Sequence, residues 1–180
     1  MERSLTHIAL FAALIAVLGL VPKIDLAAGV PVTAQSLGIM LCGTVLGAKR
    51  GALAVLLFLA LVAIGLPLLS GGRGGLGVFA GPSVGYLIGF PLAAFVAGWV
   101  MERTTLAPGW AAFAGSVIGG IAVLSICGIL GLSLMLDKTL PEAALIAAAF
   151  LPGDILKAVL AGLITQAIAR ARPNALLSRA

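Results

Sequence analysis

Apolar runs with neither charge nor alternation decide the fold class of this chain. Stretches such as 5–21 and 110–134 contain no Asp, Glu, Lys or Arg. A transmembrane barrel would read as ~10-residue segments that alternate apolar and polar. Unbroken runs of this length instead match the ~20 residues that carry a helix across a ~30 Å hydrocarbon core. Composition agrees. Hydrophobic residues make up 62% of the chain, charged residues 9%, and the mean hydropathy is +1.24. A soluble domain carries about 25% charged residues for its hydrated coat. The chain is therefore expected to be an all-α integral membrane protein, not a soluble globule, a disordered chain or a disulfide scaffold. Cys42 and Cys127 lie inside apolar stretches without a CxxC partner, as small apolar filler would. The formal charge of +5 reads as loop content of a membrane protein rather than as affinity for nucleic acid. Part of the large glycine content (24 residues) reads as close helix packing.

Six spans are expected, at 5–21, 31–48, 51–69, 82–101, 110–134 and 152–171, in one domain covering 1–180. The first is read as a span because it exceeds a usual leader core and lacks a small-x-small cleavage site before Pro22. A single helix over 142–170 would be about 44 Å long at 1.5 Å per residue, too long for the core. Pro152-Gly153 interrupts it, and proline suits a first helical turn. Residues 141–150 then form a short helix or re-entrant piece.

An even number of spans puts both termini on one side, and basic residues choose the side. Arg3, Lys49, Arg50, Arg103, Arg170, Arg172 and Arg179 fall on one face, against Lys23, Arg73 and Lys138 on the other. The richer side is expected to be cytoplasmic, giving N-in and C-in. Trp99 and Trp110 flank Arg103 there, where amphipathic rings settle. The loops 22–30, 70–81 and 135–151 face outward and hold the most Gly, Pro and polar residues, so the ligand site is expected there, in a compact bundle covered by loops.

Charged residues inside spans mark function by default. Asp154 and Lys157 stand i and i+3 on one helix face, with Asp154 in the first turn where the helix dipole favours an anion. Two readings stand: mutual neutralisation, or a clamp offering an anionic acceptor and a cationic donor. The glycine run 71–77 with Arg73 lacks the lysine of a phosphate loop. It is either a connector or bare backbone lying close over a ligand. Tyr86 is an interfacial aromatic or a ligand contact. Gln35, with Thr33 just before it, is a helix-start amide or a ligand group. Ala9 and Ala13, overlapped by Ala12 and Ala16, make small-xxx-small steps. They serve packing within the chain or a partner's helix. Neither a Ser/His/Asp set nor HExxH is present, so no catalytic residues, metal ligands or cofactor are assigned and no enzyme is expected.

Three motifs together resemble one family. Pro31-x-Thr33-x-Gln35, Gly74-Gly75-Leu76 through Gly81-Pro82-x-x-Gly85-Tyr86-Leu87-x-Gly89-Phe90, and Pro152-Gly153-Asp154-x-x-Lys157 are similar to the BioY biotin transporters. Those are the substrate-binding S components of energy-coupling factor transporters. The resemblance implies a six-helix protein of the bacterial plasma membrane that takes up biotin with a transmembrane T component and ATPase subunits. It implies ligand-binding roles for Asp154, Lys157, Gln35, Tyr86 and Thr33, and a T-component contact at Ala9 and Ala13; Arg73, just before the matched motif, is a ligand-binding candidate through its guanidinium alone. The ureido N–H groups of biotin call for a carboxylate, its carboxylate and carbonyl oxygen for donors, and its methylenes for apolar walls. The competing expectation is a structural or assembly subunit of a larger membrane complex, with no small-molecule ligand.

Overall fold

A computed structural model describes residues 2–25 and 31–179. Its helices are α1 (Glu2–Leu18), α2 (Gln35–Leu46), α3 (Ala48–Ala63), α4 (Val84–Arg103), α5 (Pro108–Gly115), α6 (Leu124–Leu136), α7 (Leu140–Ala148) and α8 (Leu151–Ala171). A π-helical segment, Ser116–Val123, joins α5 to α6 in one 29-residue rod. Val84–Arg103, Pro108–Leu136 and Leu151–Ala171 are long and apolar enough to cross a membrane, while Ser4–Leu18 and Gln35–Leu46 are shorter apolar helices.

The core sits around α2 and α4. Every residue of α2 except Leu37 is buried, as expected of a helix that is apolar all round. It packs on α1, α3, α4 and α8, and α4 in turn meets α3, α5 and α6. Small residues set these distances. A Cβ on Gly43 of α2 would stand 2.8 Å from the Gly98 nitrogen of α4. A Cβ on Gly85 of α4 would stand 2.8 Å from the Gly131 Cα of α6. At both crossings backbone touches backbone, and any larger residue would force the helices apart. The outer surface is apolar instead of charged, with Leu134 74% and Leu163 63% exposed. Water would penalise such a surface, whereas lipid does not.

The observed helices depart from the expected spans where local hydrogen bonding intervenes. The second span was expected from Pro31, but α2 starts at Gln35. Pro31–Val32 pairs antiparallel with Ile24–Asp25, and the Thr33 hydroxyl accepts the Gln35 backbone N–H at 3.3 Å. The third was expected to reach Leu69, but α3 stops at Ala63. Gly65 at φ +111° then turns the chain, and the 64–75 segment forms a loop. Between α2 and α3, Gly47 takes φ +87°, and the freed Ala48 N–H donates to Glu102 Oε1 of α4 at 2.8 Å. Pro152 lies in the first turn of α8, one residue after its start. Residues 26–30 of the expected outer loop 22–30 lie outside the described residues.

One end of the bundle gathers positive charge. Ser4, His7, Arg50 and Arg172 share a cavity there, and Lys49 and Arg103 share another with the chain's last turn. Arg103 also stacks over the Trp99 ring at 5.6 Å. The heads of α2 and α8 lie at the opposite end.

Candidate functional site

The site begins at the head of α8. Proline in the first turn directs the chain into the helix, and Asp154 closes that turn by donating its backbone N–H to Phe150 O at 3.0 Å. One turn on, Lys157 Nζ lies 2.9 Å from Asp154 Oδ1 and 2.9 Å from the Ser36 hydroxyl of α2. The two charged side chains are 12% and 13% exposed. An ammonium has three hydrogens, so one remains for a ligand, as does the second carboxylate oxygen.

Thr33, Gln35, Arg73, Tyr86, Asp154 and Lys157, all singled out from the sequence, line one cavity. They come from four separate parts of the chain. Tyr86, on the first turn of α4, lays its ring against the backbone at Gly128 and tilts against Phe150 with centroids 5.6 Å apart. Its buried hydroxyl has no hydrogen-bond partner among the described residues. Burying a hydroxyl unpaired is unfavourable by about 1–3 kcal/mol, which makes it a donor waiting for an acceptor. Arg73 sits on a tight turn closed by Leu69 N–H to Arg73 O at 3.0 Å, with Gly71 and Gly72 both at positive φ. Its Nε donates to Ser70 O at 3.3 Å, leaving the terminal guanidinium nitrogens for the cavity.

Gln35 is placed differently from the others. Its amide nitrogen donates to Ile15 O at 3.2 Å and Leu68 O at 3.1 Å, and its oxygen accepts Ser70 N–H at 3.0 Å. Both donor hydrogens are therefore used by backbone. The Thr33 hydroxyl accepts the backbone N–H of Gln35.

Sequence reasoning missed Ser36, which meets Lys157 across 121 positions. The only available signal was its place on the first turn of α2 beside Gln35. It also missed Phe150 and Phe90, which supply apolar walls. Ala9 and Ala13 lie away from the cavity, exposed on α1, whereas Ala12 of the overlapping step is buried in the core.

The geometry thus provides an anionic acceptor, two cationic donors, an unpaired phenol and aromatic walls. The cavity is about 70 Å³, below the ~300–1,000 Å³ usual for small-molecule sites.

Residues 2–174 match the BioY family model. The chain is 54% identical over 189 residues to the biotin transporter BioY of Rhodobacter capsulatus, covering 99% of this chain and 100% of that protein. It is 41% identical over 166 residues to the probable biotin transporter BioY of Bacillus subtilis, covering 92% and 89%. Among solved structures it is similar to the S component for biotin from an ECF-type ABC transporter. That match has a TM-score of 0.88 and 34% identity, over 94% of this chain and 92% of the other.

Proposed function

The chain belongs to the BioY family, and on that premise we propose that it is a membrane component that binds biotin and mediates its uptake, energised by an ECF module. It is a transport component, not an enzyme, and biotin is its ligand rather than a cofactor. The competing idea of a structural subunit without a ligand is not favoured, since full-length relatives are biotin transporters.

The observation that carries the site is the Asp154–Lys157 pair facing the cavity from the head of α8. The free Asp154 oxygen accepts from a ureido N–H. The remaining Lys157 hydrogen and the unpaired Tyr86 hydroxyl serve the ureido carbonyl oxygen, and Arg73 serves the carboxylate tail. Such charge-assisted bonds are the strong ones. Phe90 and Phe150 flank the thioether ring. A cavity of about 70 Å³ is smaller than this bicyclic ligand, so entry requires the 69–73 turn or the lining side chains to move.

The partners in this reading are a transmembrane T component, which meets α1 at Ala9 and Ala13, and a pair of ATPase subunits. The chain crosses the bacterial plasma membrane six times, along α1, α2, α3, α4, the 108–136 rod and α8. The basic end faces the cytoplasm by the positive-inside rule, and the site faces out. The test is binding of labelled biotin by the purified protein, followed by uptake in cells with and without the module. Purified, folded protein that binds no biotin would end this reading.

A further inference from the structure

We propose that Gln35 is a positioning residue rather than a ligand contact: it ties the 68–73 turn, and with it Arg73, to the end of α1. This rests on the biotin reading of the cavity. The residue is 2% exposed and three backbone segments meet on its one amide. Its nitrogen donates to Ile15 O on α1 and to Leu68 O on the loop. Its oxygen accepts the Ser70 N–H. From Ser70 the connection continues, because Ser70 O accepts from Arg73 Nε at 3.3 Å. With both donor hydrogens bound to backbone, Gln35 has none to offer a ligand's carbonyl or carboxylate oxygens.

The last residues of α1 are built around this junction. Gly19 is buried just beyond the helix end. A Cβ there would stand 2.6 Å from Leu68 O and 2.9 Å from the Gln35 amide nitrogen. Only a residue with no side chain lets the loop and the amide approach α1 this closely. Gln35 and Gly19 thus form one fastening. Its effect is to hold the turn that carries Arg73 down over the cavity, so that releasing the turn means breaking hydrogen bonds to α1, the helix proposed to meet the T component.

The test compares biotin dissociation from purified wild-type, Gln35→Glu, Gly19→Ala and the double variant, each also measured with biotin methyl ester and iminobiotin. Gln35→Glu keeps the acceptor for Ser70 but has no hydrogens for Ile15 and Leu68. Gln35→Asn, neutral and one methylene shorter, replaces it should the charged variant not insert. Gly162→Ala, at the distant contact of α8 with α5, controls for general destabilisation. The expected result is a rise of about tenfold in dissociation rate for Gln35→Glu and for Gly19→Ala, equal for biotin and iminobiotin and smaller for the methyl ester, which lacks the carboxylate that Arg73 meets. The double variant should be no worse than the weaker single, since both act on one junction. Gly162→Ala should lower the melting temperature without changing dissociation. A loss that vanishes for iminobiotin, which differs only at the ureido group, would make Gln35 a ligand contact and overturn the proposal. So would additive effects, unchanged dissociation, or an equal rise in Gly162→Ala. Failure of the wild-type protein to bind biotin would instead sink the functional reading.

Discussion

The ammonium of Lys157 lies 2.9 Å from the hydroxyl of Ser36, a residue 121 positions earlier in the chain. That contact joins the heads of α8 and α2, the two helices that carry half of the polar residues lining the cavity. It also aims Lys157 across the cavity, where its i, i+3 partner Asp154 alone would leave it free to lie along the helix.

Asp154→Asn retains shape but replaces a charged acceptor with a weaker neutral one. A charge-assisted hydrogen bond contributes about 1.5–3 kcal/mol, so biotin binding should weaken roughly 10–100-fold in an equilibrium binding measurement. Lys157→Met should weaken it too, leaving Asp154 an unpaired anion in a low-dielectric setting. The double variant Asp154→Asn, Lys157→Met should insert and fold but bind no better than the singles. Recovery of full affinity in it would reduce the pair to a structural role.

Farther along the same two helices, Thr44 and Thr165 are fully buried and share a hydrogen bond of 3.0 Å. Thr44→Val or Thr165→Val alone orphans the other hydroxyl and should lower stability by about 1–3 kcal/mol. The two together should fall close to wild type. Thermal unfolding of the three variants gives the coupling, and additive losses would contradict it.

Ala9 is exposed on α1, six residues before Ile15, whose carbonyl meets Gln35; Ala13 is exposed too, two residues before Ile15. Ala9→Trp should therefore block co-purification with the T component and leave biotin affinity within about twofold. Weakened affinity with intact assembly would be the reverse of this expectation.

Asn174 is exposed beside Arg172 at the basic end of the bundle. With that end in the cytoplasm, Asn174→Cys in a Cys127→Ser background should react with an impermeant thiol reagent only after the cells are opened. Labelling from outside intact cells would invert the topology.

Glu142 opens α7 in a reciprocal cap. The Thr139 backbone N–H and hydroxyl donate to its carboxylate at 2.9 and 2.8 Å. These bonds, the backbone one first, hold its pKa below the ordinary glutamate value. A carboxyl whose folded pKa is depressed contributes stability above its unfolded pKa and loses it as pH falls through the folded one. The start of α7 should therefore fray on acidification below the usual carboxylate range, seen as a shift of Thr139 and Glu142 backbone resonances. In Glu142→Gln the same residues should show no such titration.

The lipid environment, the helical class and the approximate helices were legible in the chain because they rest on short-range properties. Transfer of apolar side chains from water and a 3.6-residue period act within one segment. Asp154 and Lys157 were legible for the same reason, as neighbours on one helix turn, and so was the interruption at Pro152. Packing decided the rest. The start of α2 moved to Gln35 through pairing of residues from separate segments, 24–25 with 31–32. The meeting of Arg73, Tyr86 and Asp154 at one cavity depends on the backbone contacts at Gly43 with Gly98 and Gly85 with Gly131, which fix how far apart the helices stand. Gln35 shows the limit most clearly. Its sequence position marked it as polar at a helix start, but which atoms its amide bonds is set by Ile15 and Leu68, 20 and 33 residues away. Hydrogen bonds between segments that far apart have no period in the chain, so only the folded arrangement assigns them.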